Sequence, residues 1–311
     1  MDLNLIEQAS EAYEPQLGDN DRARMSFFKG LWKLQQEYVE RAQASLDHAL
    51  PGEEQLLAWY WDEKPLFLMA PLTINEELFL SALKDCAGYV ADNAGVADEA
   101  VSVLRGFDWK KLLNEVGLEQ AGYDPGSWLV GAVEAAAKLI ATQASTVEAG
   151  VDEAGAVGIV LSCALKPMLE PAAKQAMSHY KPDRDAYESH AKPLRCPVCG
   201  GHAGLAYVGD TPSGEGKGRM LYCTTCTAHW EFERIRCAHC GTQSQGKLHY
   251  FHVEGDPAHR LYLCDECSSY LRTAFLSELP TAFCMEVEDV IMARLDHVAN
   301  SVAIKSQRKD S

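Results

Sequence analysis

Apolar residues recur every three or four positions through most of the first 180 residues, which is the spacing of an amphipathic helix. The pattern predicts one helix from about Asp21 to Ala49 and a shorter one from Glu53 to Trp61. Further helices are predicted over residues 73–93, 97–105, 108–116, 127–149 and 151–179. Residues 1–20 are acidic and poorly periodic, so we expect a partly ordered arm there. Because this half contains no β-rich run, it is predicted to form a bundle of helices.

The pattern changes after a polar linker over residues 181–193, which contains Pro182 and Pro193. Apolar and polar residues then alternate, which is typical of half-buried strands. Strands are predicted over residues 201–208, 219–222, 229–236, 247–253 and 260–263. Helical spacing returns near the end of the chain and predicts helices over Ser268–Leu279 and Glu286–Val298.

Eight of the eleven cysteines form four Cys-x-x-Cys pairs in the strand-rich part of the chain. The pairs are Cys196/Cys199, Cys223/Cys226, Cys237/Cys240 and Cys264/Cys267. Adding 41 to each of the first four positions gives the last four, so both halves read C-x2-C-x23-C-x2-C. The chain therefore contains a tandem duplication of one small unit.

Each unit carries the ligands of a tetrahedral four-thiolate metal site. One Cys-x-x-Cys turn directs two sulfur atoms toward a point, and a second turn completes a tetrahedron that suits Zn²⁺ or iron. We therefore predict one ion held by the first four of these cysteines and another held by the last four. Two registered copies disfavour a thiol–disulfide redox motif. Closed four-cysteine sites most often only hold a small fold together, so a purely structural role stays open.

The predicted fold class is α+β, with an N-terminal all-helical bundle, two tandem rubredoxin-like or zinc-ribbon modules, and C-terminal helices. The predicted domains are a helical domain (1–185), a first four-cysteine metal ribbon (186–232), a second four-cysteine metal ribbon (233–270), and C-terminal helices with a tail (271–311).

Composition restricts the partners and the compartment. The net charge is −17 and the estimated pI is about 5.0, which disfavours a general binder of nucleic acids or anionic membranes. Cysteines in metal-type pairs, rather than in a disulfide framework, are typical of a reducing cytosol. The first residues lack the basic and apolar regions of a secretory signal, and the apolar run Ala154–Leu165 is short for a membrane span. We expect a cytoplasmic protein without membrane insertion.

The helical half offers no arrangement of residues that predicts catalysis. Cys86 and Cys163 lie in apolar helical segments, where cysteines are usually inert core residues. No Ser-His-Asp or Cys-His spacing is recognisable, so we expect a protein that is not an enzyme and has no catalytic residues. The six histidines among the metal ribbons are expected at the surface or next to the metal ligands, because eight cysteines already complete two tetrahedra.

Several motifs around the cysteines resemble those of the formate dehydrogenase accessory proteins, the FdhE family. The motifs are CPVCG (196–200), LYCTTCTAHW (221–230), RIRC (234–237), GKLHYF (246–251) and CDECSSYLR (264–272). The resemblance is dense from about residue 195 to 298 and vague in the helical half. It implies a cytoplasmic, non-enzymatic assembly factor that is needed for active formate dehydrogenase and contacts the catalytic subunit of that enzyme. It also implies that the eight cysteines hold iron in two rubredoxin-like sites, although zinc fits the same ligands.

Two other functions are consistent with the residues themselves. The first is a nucleic-acid-binding zinc ribbon whose basic and aromatic residues share one face. That face would contain Arg195, Lys217, Arg219, Arg234 and Arg236, with Trp230 and Phe232. The second is an electron-transfer protein similar to rubredoxin. Both rank below the assembly factor, the first because of the strongly acidic charge.

Overall fold

The computed structural model describes residues 1–143, 151–180, 185, 189–211 and 217–299, and most of the predicted linker and tail lies outside them. Ten α-helices precede the cysteine region in these described residues, and an eleventh follows it. They are α1 (Leu3–Tyr13), α2 (Asp19–Ala44), α3 (Glu53–Trp61), α4 (Leu66–Met69), α5 (Glu76–Asn93), α6 (Asp98–Gly106), α7 (Trp109–Val116), α8 (Glu119–Tyr123), α9 (Pro125–Gln143), α10 (Val151–His179) and α11 (Met285–Met292). Residues 294–299 are also helical.

Helix α10 lies at the centre of the helical domain and packs against α2, α5, α6 and α9. Its side chains Val157, Leu161 and Leu169 are fully buried. Within the described residues, α10 is the one helix long and apolar enough to cross a membrane, over Glu153–His179. However, 72% of its apolar stretch is buried inside the fold, as in the core helix of a soluble-type protein. The apolar segment is therefore longer than the run over residues 154–165 that the sequence showed. Its apolar character is explained by packing in the core.

The expectation of a partly ordered arm at residues 1–20 is wrong, because α1 is a capped helix that packs against the rest of the protein. The Asp2 carboxylate accepts hydrogen bonds from the backbone N–H groups of Asn4 and Leu5, as an N-cap residue does. Ile6 and Tyr13 are buried against α2 and α11. The arm therefore owes its order to apolar contacts with segments that are distant along the chain.

The cysteine region forms one six-stranded sheet. Its strands are β1 (Leu205–Asp210), β2 (Lys217–Tyr222), β3 (His229–Phe232), β4 (Leu248–His252), β5 (His259–Cys264) and β6 (Tyr270–Phe275). Their order is β3-β2-β1-β6-β5-β4. Neighbours are antiparallel except β1 and β6, which pair in parallel from Leu205 opposite Arg272 to Val208 opposite Phe275. Each repeat thus supplies three strands, and the parallel pair joins the two repeats edge to edge.

The helix predicted over Ser268–Leu279 is wrong, because Tyr270–Phe275 is strand β6. The 41-residue offset places the third strand of the first repeat, His229–Phe232, on residues 270–273, so β6 is its duplicate. Pairing with both β1 and β5 determines the extended conformation. The predicted fold class is confirmed, namely a helical N-terminal region, a sheet with two four-cysteine clusters, and C-terminal helices; the domain boundaries stay predictions.

A buried ion cluster connects α1, the second repeat and α11. His259 is 1% exposed; its Nδ1 lies 2.9 Å from the Asp256 carboxylate and its Nε2 lies 2.6 Å from that of Glu288. The Tyr13 hydroxyl donates to Glu288 at 2.9 Å, and Arg294 pairs with Asp256. Burial by itself lowers the pKa of His259, but the hydrogen bonds to both carboxylates outweigh burial and raise the pKa from 6.5 to about 9. The charged imidazolium therefore stabilises the contact among these three elements at neutral pH.

This cluster predicts a fall in stability at alkaline pH. Since the folded-state pKa of His259 is raised, its contribution is fully present below about pH 6.5 and is lost as pH rises through about 9. Between pH 6.5 and 9.5, the unfolding free energy of the metal-loaded protein should fall by roughly 3 kcal/mol more than that of His259→Gln. Denaturant unfolding of both proteins across this range measures the difference, and parallel pH dependences would contradict the assignment.

Candidate metal centres

The eight predicted ligands meet in two groups of four. In each group all sulfur atoms lie within 4.8 Å of one another. The first group is Cys196, Cys199, Cys223 and Cys226, and the second is Cys237, Cys240, Cys264 and Cys267. We call these site 1 and site 2. Each site takes all its sulfurs from one repeat, as the 41-residue offset predicted.

The sulfur separations match the donor set of a tetrahedral metal site. At site 1, the Sγ atoms of Cys196 and Cys226 are 3.5 Å apart, and those of Cys199 and Cys223 are 3.4 Å apart. The two corresponding separations at site 2 are both 3.7 Å. A tetrahedron with metal–sulfur bonds of about 2.3 Å has edges of roughly 3.8 Å. All eight thiols are free of disulfides, so each site could hold one metal ion.

Each Cys-x-x-Cys pair forms a knuckle closed by backbone hydrogen bonds. In the first knuckle, the N–H of Gly200 donates to the Cys196 carbonyl at 2.9 Å, and the N–H of Cys196 donates to the Gly201 carbonyl at 2.8 Å. The knuckles that begin at Cys223 and Cys237 repeat this pair of bonds. These bonds hold the two cysteine side chains of a knuckle on the same side of the turn.

The residue after the second cysteine has a left-handed backbone in all four knuckles. The φ angles are 77° at Gly200, 67° at Thr227, 77° at Gly241 and 57° at Ser268. Thr227 and Ser268 are two of the three described non-glycine residues with positive φ. Because a side chain makes this conformation unfavourable, the knuckle geometry imposes it in spite of the cost.

Site 1 lies deep inside the structure, against the helical domain. Its four cysteines are at most 4% exposed and belong to the main hydrophobic core. The backbone N–H groups of Leu66 and Phe67 in α4 donate to the Pro197 and Val198 carbonyls of the first knuckle, each at 2.9 Å. The knuckle is thereby attached to the bundle.

Site 2 lies near the surface, where Cys240 is exposed and Cys267 is half-buried. A cavity of about 230 Å³ adjoins it, with Cys237 and Cys264 in the wall. The exposed side chains of Ile235 and Tyr250 form part of the same wall. Identical ligand sets are thus placed in very different surroundings.

Burial makes four bare thiolates unfavourable at site 1. Burial raises the pKa of both Cys196 and Cys226 well above 9, whereas hydrogen bonds from neighbouring thiols lower the pKa of Cys223. Four thiolates without a cation would therefore be unstable there at neutral pH. Metal binding at this site must displace protons, so its affinity should fall as pH falls.

Several of the aromatic and basic residues that the sequence grouped on one face are buried in the structure. Trp230 is buried, and its Nε1 donates to the Pro193 carbonyl at 2.9 Å. Arg219 and Arg236 are also buried and donate to backbone carbonyls. By contrast, Tyr250 is 59% exposed and Phe251 is 44% exposed on the edge strand β4. The interior positions weigh against a nucleic-acid-binding face.

The histidines near the two sites have different roles. The rings of His202 and His239 lie 5.4 Å apart. The His239 Nε2 lies 3.1 Å from the Tyr270 carbonyl, which links the knuckle at Cys237 to β6. His259 was expected at the surface or beside the ligands, and this expectation is wrong because it is buried between carboxylates. Only the side chains packed around it from α1 and α11 reveal that position.

The left-handed backbone of the knuckles predicts that two substitutions will affect stability differently. The backbone φ of Gly200 is positive, which a residue with a side chain adopts only with strain. A Cβ added there would also lie 3.0 Å from the Pro65 side chain. Gly200→Ala should therefore destabilise the zinc-loaded protein by roughly 1–2 kcal/mol. Thr227→Gly removes the backbone strain at the matching position and should leave stability unchanged or raise it. Denaturant unfolding of both variants measures this, and equal losses would contradict the strained-knuckle explanation.

Comparison with known proteins gives related sequences and a related fold. No protein-family model matches the chain. Three curated proteins named FdhE homologs are similar, from Stutzerimonas stutzeri (30% identical over 142 residues), Aquifex aeolicus (31% over 101) and Pseudomonas aeruginosa (32% over 128). The alignments cover 43%, 32% and 38% of this chain, respectively. They span 46%, 35% and 40% of those relatives, which is less than half of each.

The fold is similar to that of the FdhE protein from Pseudomonas aeruginosa, known from a crystal structure. The likeness covers 97% of this chain and 93% of that chain, with a TM-score of 0.55 and 16% sequence identity. At this identity the likeness establishes the fold alone. The resemblance to the FdhE family that the paired cysteines indicated is confirmed, in sequence over part of the chain and in fold over nearly all of it.

Proposed function

We propose that this protein is a cytoplasmic accessory factor for the formation of active formate dehydrogenase, that it is not an enzyme, and that it binds the catalytic subunit. The observation that carries the proposal is the pair of four-cysteine units within a fold similar to that of an FdhE protein. The curated relatives, named FdhE homologs, support the same assignment. The acidic composition and metal-type cysteine pairs favour the cytoplasm.

Each four-cysteine site holds one metal ion in this proposal. Four sulfur donors at tetrahedral separations suit iron and zinc equally, and the family resemblance favours iron. The ion would crosslink the two knuckles of a hairpin that is too small to bury a core of its own. Metal binding would therefore supply much of the folding free energy of each ribbon.

The partner would dock on the exposed edge of the second ribbon. Strand β4 is an outer strand of the sheet, so its unpaired backbone groups are available for binding. Tyr250 and Phe251 are exposed on this strand, and Tyr250 lines the adjoining cavity together with the exposed Ile235. Exposed aromatic residues beside a cavity are typical of the anchor residues of protein interfaces. This edge is continuous with site 2.

The buried cluster of His259 with Asp256 and Glu288 favours a structural role over a catalytic one. Both ring nitrogens of His259 bond to carboxylates, at 2.9 Å to Asp256 and 2.6 Å to Glu288. A general base needs a free nitrogen within reach of a substrate, and this residue is 1% exposed. The arrangement supports a protein that acts by contact.

Loss of the protein provides the first test. Deletion of its gene should abolish respiratory formate oxidation while the formate dehydrogenase polypeptides are still made. Affinity capture of the tagged protein should recover the catalytic subunit. Normal enzyme activity in the deletion strain would overturn the proposal. Full complementation by protein shown to carry only zinc would exclude the electron-transfer alternative, which requires a redox-active ion.

The docking surface provides a second test. Phe251→Ser should reduce recovery of the catalytic subunit at least tenfold, as expected for the loss of an interface anchor of about 1.4 kcal/mol or more. Zinc content and thermal stability should remain those of the wild type, because this side chain is exposed. Val130→Ser is the matched control, since Val130 is an exposed apolar residue on α9. Equal recovery with both variants would place the docking surface elsewhere.

A further inference from the structure

The two four-cysteine sites have the same ligands but differ in their access to solvent. All four cysteines of site 1 belong to the main hydrophobic core. None of the cysteines of site 2 belongs to a hydrophobic core cluster of the described residues. Within site 2, Cys240 is exposed and Cys267 is half-buried. An incoming ligand can therefore approach site 2 directly, whereas site 1 is covered.

Packing around the first knuckle would have to open before site 1 could be reached. Its Pro197 and Val198 carbonyls accept hydrogen bonds from α4. The Tyr180 hydroxyl, just after α10, also lies 3.4 Å from the Pro197 carbonyl. Gly200 contacts Pro65 so closely that an added Cβ would lie 3.0 Å from its ring. Exposing these sulfurs requires separation of the ribbon from the bundle, which is a rare local unfolding event.

The surroundings of site 2 are open to solvent at Cys240. The knuckle at Cys237 has Gly241 where the first knuckle has Gly200, but a Cβ added at Gly241 would meet the side chains of Leu194 and Arg236 rather than Pro65 at the start of α4. The cavity of about 230 Å³ reaches Cys237 and Cys264 from the same side as the exposed edge of β4. Duplication has thus placed one copy of the site at the domain contact and the other copy at the surface.

We infer that the two sites have divided tasks: site 1 permanently anchors the ribbons to the helical domain, and site 2 exchanges its metal ion. The physical reason is that exchange of a thiolate-bound ion needs an incoming ligand to reach it, and only the surface site allows this without local unfolding. The inference rests on the metal binding proposed above and does not depend on the identity of the partner. It assigns to Cys240 the role of the first sulfur to be displaced, since it is the most exposed of the eight.

Competition for zinc tests this division of tasks. The full-length protein is loaded with zinc and mixed with excess 4-(2-pyridylazo)resorcinol, whose zinc complex is followed by absorbance. We expect one equivalent to be released at least tenfold faster than the second. Release of both equivalents in a single phase would overturn the inference. A protein that takes up no zinc would contradict the proposed metal binding as well, so the two failures are distinguishable.

Labelling the freed thiols identifies which site is lost first. Iodoacetamide is added after the fast phase, and the modified residues are located by peptide mass spectrometry. Label on Cys237, Cys240, Cys264 and Cys267, with site 1 protected, is the expected result. Label on site 1 would overturn the inference, and this measurement needs no variant.

A pair of serine substitutions provides an independent check. Cys240→Ser should remove the fast equivalent and leave one slow equivalent, with the helical circular dichroism signal of the bundle unchanged. Cys163→Ser, in α10 and outside both sites, should retain both phases. Loss of the slow phase in Cys240→Ser would contradict the assignment of the slow equivalent to site 1.

Discussion

The C-terminal half of this protein depends on one constraint, the convergence of four cysteine sulfurs at each of two sites. Within each site, all four sulfur atoms lie within 4.8 Å of one another. Each set of sulfurs comes from two knuckles that a hairpin brings together. The knuckles impose a left-handed backbone even on Thr227 and Ser268, where a side chain opposes it. Strain at these positions is tolerated because the remaining geometry of the knuckle, with its backbone hydrogen bonds, determines the turn.

The parallel pairing of β1 with β6 joins the two repeats into one sheet. It leaves β3 and β4 as the outer strands of a six-stranded sheet. On the first repeat, the knuckle at Cys196 bonds to α4 of the helical domain. On the second repeat, α1 and α11 contact the hairpin through the buried His259 cluster. The sheet is therefore attached to helices at both repeats, although by different chemistry.

In the proposed binding role, the sheet would present its outer strand β4, most of whose side chains are exposed. The metal-type knuckles would hold the strands in place, so Tyr250 and Phe251 would be presented without an ordering cost at the moment of binding. Trp230, by contrast, is buried and donates to the Pro193 carbonyl. The net charge of −17 would limit nonspecific contacts with other acidic proteins and with nucleic acids.

Local periodicity and the repeat were sufficient to predict most helices, the two hairpins and the grouping of the eight cysteines. These features depend on contacts within short segments, or on a ligand spacing that recurs after 41 residues. The same repeat also contained the signal for β6, but Leu271, Ala274 and Phe275 have helical spacing as well, and that local pattern predicted the wrong element. Comparing the third strand of the first repeat with residues 270–273 would have resolved the ambiguity.

Other features were decided by tertiary structure alone. The order of α1, the burial of His259 between Asp256 and Glu288, and the exposure of Tyr250 all depend on segments far apart in sequence. The same is true of the difference between the two sites. Their motifs are identical in ligand spacing, so the sequence determined that there are two four-cysteine units. Only the packing of α4 against one knuckle decided which unit is buried, because burial is a property of what surrounds a residue and not of the residue itself.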